Sequence, residues 1–229
     1  MSFIDMLYGL AAIVLLDLVL AGDNAIVIAL AARNLPPALQ RKAVFWGTFG
    51  AIAVRVVLTI GVVYLLKLPG LMLAGGLLLL PIALKLLKPE DHDREVDPAA
   101  GLWSALRTII VADALMGMDN VLAIAGASKG HLLLVVAGLL ISVPLVVWGS
   151  TLILVLLRRY PVIVYIGAGA IAWTSARMIA HEHWLGLAGW FERRAWAAHA
   201  FGVLLVFLVC GLGYLRERRH RRIAGGAGS

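Results

Sequence analysis

Residues 17–29 read DLVLAGDNAIVIA and place two aspartates and an asparagine inside a long apolar stretch. Residues 113–125 read DALMGMDNVLAIA and return the same pattern in a second apolar stretch. One shift of 113 − 17 = 96 positions aligns the acidic and amide residues of the two copies: Asp17 with Asp113, Asp23 with Asp119, and Asn24 with Asn120. An acidic motif repeated within apolar sequence predicts a duplicated membrane protein.

The composition supports a lipid environment. Of 229 residues, 62% are hydrophobic and 14% are charged, and the mean hydropathy is +0.95. The charges separate apolar stretches of about 20 residues, the length that an α-helix needs to cross a bilayer. Strands of a membrane barrel alternate over about 10 residues, a pattern absent from this sequence. The fold class is therefore predicted to be all-α and polytopic.

Seven transmembrane helices are predicted from the apolar stretches and their charged, Pro or Gly boundaries. They are Leu7 to Ala31, Ala43 to Leu66, Leu71 to Leu87, Leu106 to Ala127, Leu132 to Leu157, Val162 to Ile179 and Ala197 to Leu215. Three spans fall in each half of the chain, and an odd number inverts the second half relative to the first. The predicted organisation is a first repeat (1–88), an acidic cytoplasmic linker (89–103), an inverted repeat (104–180), an external interfacial segment (181–196), and a seventh helix with a basic tail (197–229).

The distribution of Lys and Arg predicts the orientation. With the N-terminus outside, 14 of the 20 basic residues fall on the inner side, five on the outer side, and Arg55 lies within a span. The positive-inside rule therefore predicts a cytoplasmic C-terminus in the cytoplasmic membrane. The basic tail from Arg216 to Arg222 suits anionic lipid, so the +7 net charge predicts a lipid partner and no nucleic acid. The first stretch lacks the basic region of a signal peptide and is expected to be retained.

The buried acids are the strongest indication of function. Of 13 Asp and Glu, only Asp17, Asp23, Asp113 and Asp119 lie within the predicted spans. Each costs about 2.5–3.5 kcal/mol at a helix centre unless a cation or a proton offsets it. Arg55 is predicted to be an interior counter-charge to an empty site, with snorkelling to one leaflet as the alternative. The acids therefore predict a cation site.

Helix geometry places Asp17 and Asn24 on one face, and likewise Asp113 and Asn120. The second aspartate of each motif lies off that face on a straight helix, and an unwound turn at Gly22 or Gly117, a feature of many transporters, is expected to turn it inward. Six motif residues form the predicted metal site: Asp17, Asp23, Asn24, Asp113, Asp119 and Asn120. Carboxylate and amide oxygens suit Mg²⁺, Ca²⁺ or Mn²⁺.

LAGDNAIVIA and MGMDNVLAIA resemble the paired signatures of the TerC family of integral membrane proteins, in the wider LysE-type transporter group. The resemblance extends from Leu7 to Leu215. It implies Mn²⁺ handling, with the six motif residues as the matched positions. The sequence has no serine, cysteine or histidine nucleophile set near the acids and no phosphate-binding glycine loop, so we expect neither enzyme activity nor a bound cofactor.

Alternatives remain open at this stage. One is a LysE-like exporter of an amino acid or another organic cation, and another is a non-transporting scaffold linked to tellurium resistance. Self-association into a homo-oligomer and metal binding by His181 and His183 are also left open. Neither motif contains an aromatic residue, which favours a metal ion over an organic cargo.

Overall fold

The computed structural model describes residues 3–20, 22–65, 68–88, 98–128, 131–183 and 186–226. These residues are mostly helical and contain no strand, which confirms the all-α class. The helices in them are α1 (Phe3–Leu20), α2 (Gly22–Ala32), α3 (Pro37–Leu65), α4 (Leu71–Leu86), α5 (Pro98–Ser128), α6 (Leu132–Arg159), α7 (Val162–Ala180), α8 (Leu187–Glu192) and α9 (Ala195–Gly226).

Five helices in the described residues are long and apolar enough to cross a membrane. Their apolar segments are Pro37–Gly61, Ala99–Met118, Leu132–Arg159, Val162–Ala180 and Trp196–Arg218. A sixth candidate is the bent pair of α1 and α2, whose axes differ by 48°. Helix α4 is apolar but has only 16 residues. Seven spans therefore remain a prediction.

The connections differ in part from those expected. Helix α3 begins at Pro37, and the side-chain amide of Gln40 donates to the carbonyl of Arg33 at 2.8 Å, which closes the preceding turn. Helix α5 begins at Pro98, so residues 98–103 are helical although the sequence assigned them to the linker. The acidic residues 90–97 of that linker lie outside the described residues. In the external segment, α8 follows Gly186.

The chain forms two compact units, and each takes helices from both halves of the sequence. The first unit comprises Met1–Leu68 with Asp97–Arg159, and the second comprises Pro69–Val96 with Tyr160–Ser229. The first unit therefore contains α1, α2, α3, α5 and α6, and both motifs.

Two parallel helix pairs position the motifs in the first unit. Helix α1 runs parallel to α6, because Ile13 packs on Gly138 and, further along both helices, Asp17 contacts Ser142. Helix α3 runs parallel to α5 in the same way. There Ile109 packs on Gly47, and Arg55 contacts Asp113 further along.

The two pairs match each other closely. In each, an isoleucine four residues before the first aspartate of a motif packs against a glycine. A Cβ added to Gly138 would lie 2.5 Å from Ile13 Cγ2, and one added to Gly47 would lie 2.7 Å from Ile109 Cδ1. Both glycines therefore permit close helix approach.

The second unit is built on an antiparallel pair, α4 with α7. The Ser175 hydroxyl donates to the carbonyl of Gly76 at 2.6 Å, and both residues are buried. Near the start of α4, the buried Glu182 carboxylate accepts from the Leu73 N–H at 3.0 Å. Helix α9 packs on α7 and α4.

Candidate functional site

Arg55 of α3 lies between the first aspartates of the two motifs. Its Nη1 pairs with Asp17 Oδ1 of α1, and its Nη2 donates to Asp113 Oδ1 of α5 at 2.7 Å. The exposed fractions of Asp17, Arg55 and Asp113 are only 2%, 4% and 6%. One guanidinium therefore joins two carboxylates that are 96 positions apart in the sequence.

The ion pairs lie inside an apolar unit. A core cluster of buried aliphatic side chains from all of its longer helices occupies the same unit: Ile13, Ile52, Ile124, Leu134, Val135, Leu139 and Val143. In such surroundings an unpaired charge costs several kcal/mol, so paired charges are strongly favoured. Two carboxylates and one guanidinium still leave an excess of one negative charge when all are ionised.

The two aspartates are bonded to different extents. The Ser142 hydroxyl of α6 donates to Asp17 Oδ2, so both oxygens of Asp17 have partners. Asp113 Oδ2 is buried and has no hydrogen-bond partner among the described residues. The same holds for Arg55 Nε. Asp113 therefore has an oxygen available as a ligand.

The first motif lies at a bend: the axes of the helical segments Met6–Asp17 and Gly22–Ala32 differ by 48°. Helix α2 includes Gly22 as its first residue, and unwinding at this glycine stays a prediction. Asp23 is half-buried in the first turn of α2, where its Oδ1 accepts from the Asn24 N–H at 2.9 Å. The Asn24 side chain is buried, and within the described chain neither its oxygen nor its nitrogen has a partner.

The second motif keeps its helix intact. Helix α5 runs through Gly117 from Pro98 to Ser128, so the unwinding predicted there is absent. A Cβ added at Gly117 would lie 3.5 Å from Arg55 Nε, which places the glycine beside the guanidinium. Asn120 is buried. Asp119 lies in α5, but its side chain is outside the described set.

The described side chains bring together only part of the predicted metal site. Asp17 and Asp113 meet through Arg55, and Asp23 is close enough to interact electrostatically with both Arg55 and Asp113. No group of three or more His, Cys, Asp or Glu side chains in the described residues has the geometry of a metal site. Outside the first unit, His181 Nδ1 lies 2.8 Å from the carbonyl of Arg177.

Ser142 is the functional candidate that the sequence analysis missed. It is fully buried in the middle of α6, a helix with no acidic residue to draw attention to it. Its one signal is positional. If Gly138 of α6 corresponds to Gly47 of α3, a shift of 138 − 47 = 91 makes Ser142 the equivalent of Ala51, and Val146 the equivalent of Arg55.

These features define a class of protein: an all-helical integral membrane protein with paired charges buried among apolar helices. A model of the Integral membrane protein TerC family matches residues 3–221, and the chain belongs to that family. The family predicted from the two motifs is thereby confirmed.

Three relatives extend this result. The chain is 45% identical over 183 residues to the uncharacterized membrane protein YjbE of Bacillus subtilis (strain 168), covering 80% of this chain and 84% of the relative. It is 26% identical over 232 residues to the uncharacterized membrane protein YkoY of the same strain, covering 89% and 71%. It is 27% identical over 176 residues to the UPF0053 protein YegH of Escherichia coli (strain K12), covering 68% of this chain and 33% of YegH. No solved structure matches the chain.

Proposed function

We propose that this protein is a secondary transporter that exports a divalent metal cation, Mn²⁺, across the cytoplasmic membrane. The observation that carries the proposal is the meeting of Asp17 and Asp113, one from each motif, within a buried unit. Packing gains nothing from two carboxylates, since apolar residues fill the same volume at lower cost. Reversible binding of a cation would explain why the two carboxylates are kept in the buried unit.

The ligand chemistry favours a hard cation. Asp113 Oδ2 and Asn24 Oδ1 are buried oxygens without partners in the described residues, and Asp17, Asp23, Asp119 and Asn120 supply further oxygens of the same two kinds. Mn²⁺, Mg²⁺ and Ca²⁺ take such ligands, and the family resemblance selects Mn²⁺ among them. We assign the chain no enzyme activity and no bound cofactor.

A 3+3 inverted repeat with a seventh, C-terminal span completes the proposal. Its support is the equivalence of the two parallel pairs, in which the first helix of each half packs on the second helix of the other. An inverted pair of halves supplies alternating access around one site. The proposed orientation has the N-terminus outside and the C-terminus in the cytoplasm, and the excess of basic residues on the inner side supports it.

An organic cation is the second candidate cargo, and one observation favours it: the pair of aspartates holds a guanidinium. Proteoliposomes loaded with a Mn²⁺-sensitive dye, or supplied with radiolabelled arginine or lysine, separate the two. We expect Mn²⁺ flux without amino-acid flux. Amino-acid flux alone would replace the metal proposal with the organic one.

The motif is tested in the same vesicles. Asp23→Asn and Asp119→Asn keep the size of the side chain and remove its charge, so we expect normal insertion and loss of Mn²⁺ flux. Arg177→Met, at an exposed position in the second unit, is the control for a single change in charge. Flux at the parental rate in both motif variants would contradict this site.

A further inference from the structure

Arg55 occupies the place between Asp17 and Asp113 where a cation shared by the two carboxylates has to bind. We infer that Arg55 is a tethered competitor for this place, which keeps monovalent cations out and yields to a divalent cation. The inference rests on the proposed function and adds to it a residue that determines the selectivity.

The argument begins with the charges. Two buried carboxylates attract the guanidinium with one positive charge and two directed hydrogen bonds. A monovalent ion that displaced it brings the same charge and leaves Arg55 buried without its carboxylates, at a cost of several kcal/mol. A divalent ion doubles the Coulomb attraction to the pair. Only the divalent ion therefore has the means to displace Arg55.

The structure also gives the displaced side chain room to move. Gly117 itself places no side chain against Arg55, where a Cβ would lie 3.5 Å from Nε. Asp23 is close enough to attract the guanidinium. The exchange that we propose is a movement of the Arg55 side chain towards Asp23.

The repeat supplies only one competitor for the two carboxylates. The shift that aligns Gly47 with Gly138 makes the buried, uncharged Val146 of α6 the equivalent of Arg55 of α3. Because the competitor is single, the pair keeps an excess negative charge while Arg55 is bound. That excess continues to attract a cation of higher charge.

Binding of Mn²⁺ to the purified full chain tests the inference by calorimetry in two salts of equal ionic strength, NaCl and N-methyl-D-glucamine chloride. The parental protein is expected to bind Mn²⁺ equally in both. Arg55→Met removes the competitor, so in N-methyl-D-glucamine chloride this variant is expected to bind Mn²⁺ about tenfold more tightly than the parent. In NaCl the Mn²⁺ affinity of the variant is expected to fall about tenfold, because Na⁺ then competes. Arg177→Met is the control and behaves as the parent.

Two further variants cover a failure of Arg55→Met to fold. Arg55→Lys keeps the charge, but an ammonium group lacks the planar geometry with which the guanidinium bonds both aspartates. Lysine is therefore a weaker competitor, and we expect about threefold tighter Mn²⁺ binding than in the parent. Arg55→Ala makes space for free guanidinium, which then weakens Mn²⁺ binding to this variant and not to the parent.

The outcomes separate the two proposals. A parental protein that binds no Mn²⁺ in either salt contradicts the metal-transport proposal itself. A parental protein that binds Mn²⁺, with Arg55→Lys binding at the same affinity, overturns the role of Arg55 alone. Equal competition by Na⁺ in the parent and in Arg55→Met overturns it as well.

Discussion

Asp17 and Asp113 stand at equivalent places of the repeat, yet their surroundings differ. Asp17 lies in α1, at the end of the segment Met6–Asp17 whose axis differs by 48° from that of Gly22–Ala32, and Arg55 and Ser142 bond its two oxygens. Asp113 lies in the middle of an unbroken helix, and only one of its oxygens has a partner in the described residues. The repeat is thus symmetric in its backbone pairing and asymmetric in its polar bonds.

This difference assigns separate tasks to the two copies. Asp17 is held on both sides and anchors Arg55 in the first unit. Asp113 shares Arg55 but keeps one oxygen without a partner in the described residues, and that oxygen is a candidate ligand for the proposed cargo ion. The cause is a single residue in each case, since Ala51 stands in α3 where Ser142 stands in α6.

Replacement of the aspartates tests the comparison most strongly. Asp17→Asn removes the charge of a carboxylate whose two oxygens are both bonded, so we expect a loss of about 3–5 kcal/mol in the free energy of unfolding. Asp113→Asn leaves Arg55 with its better-bonded partner, and a loss of about 1–3 kcal/mol is expected. Unfolding in SDS titrations measures both. Equal losses would mean that the two aspartates do not differ.

The exchange of serine and alanine between the helices is the next largest test. Ser142→Ala leaves Asp17 Oδ2 buried without a donor and is expected to cost about 1–3 kcal/mol. Ala51→Ser supplies a hydroxyl opposite Asp113 and is expected to add about 1 kcal/mol of stability. Ala51→Ser should also weaken Mn²⁺ binding, because the unbonded oxygen is then occupied. If Ala51→Ser is stabilised and its Mn²⁺ affinity is unchanged, Asp113 Oδ2 is not a ligand of the ion.

Substitution of the two glycines on which isoleucines pack, Gly138 and Gly47, tests how similar the two helix pairs are. A Cβ at position 138 meets Ile13 Cγ2, which is attached directly to Cβ and moves little, whereas one at position 47 meets first the more adaptable Cδ1 of Ile109. Gly138→Ala is therefore expected to cost about 2–3 kcal/mol and Gly47→Ala about 1 kcal/mol. The same SDS titration gives both values. The reverse order would show that α1 packs on α6 less tightly than α5 packs on α3.

The smallest effects are expected at the motif glycines. A Cβ at Gly22 has nothing within 4 Å, so Gly22→Ala should gain about 0.5–1 kcal/mol from lower unfolded-chain entropy. Gly117→Ala brings a methyl group into contact with Arg55, so a smaller gain is expected. Mn²⁺ flux should fall only in Gly117→Ala, where the path of Arg55 is narrowed. Equal flux in both variants would contradict a functional role for Gly117.

The sequence predicts the membrane class and the family because both follow from features repeated along the chain. The shift of 96 positions identifies Asp17 and Asp113, and their apolar surroundings indicate that they are buried. Arg55 was singled out for its charge within a span, and the structure pairs it with both aspartates.

Ser142 was not predictable from local sequence. Serine and threonine in apolar helices commonly bond a carbonyl of the preceding turn, as Ser150 and Thr48 do here, and the Ser142 hydroxyl also lies 2.8 Å from the carbonyl of Leu139. Only the packing of α6 on α1 turns Ser142 towards Asp17. The contrast between Gly22 and Gly117 has the same origin. Each precedes an aspartate of its motif, but Gly22 begins a segment bent by 48° from Met6–Asp17, whereas α5 is continuous through Gly117.

The bond from Leu73 to Glu182 has a consequence for synthesis of the chain. The first turn of α4 receives its acceptor from a residue made 109 positions later. Until the ribosome has passed α7, this N–H of α4 has no acceptor from Glu182, and a bare N–H is costly in lipid. Assembly of the second unit is thus tied to the emergence of Glu182, and a nascent chain released before that residue lacks the bond that joins the start of α4 to the end of α7.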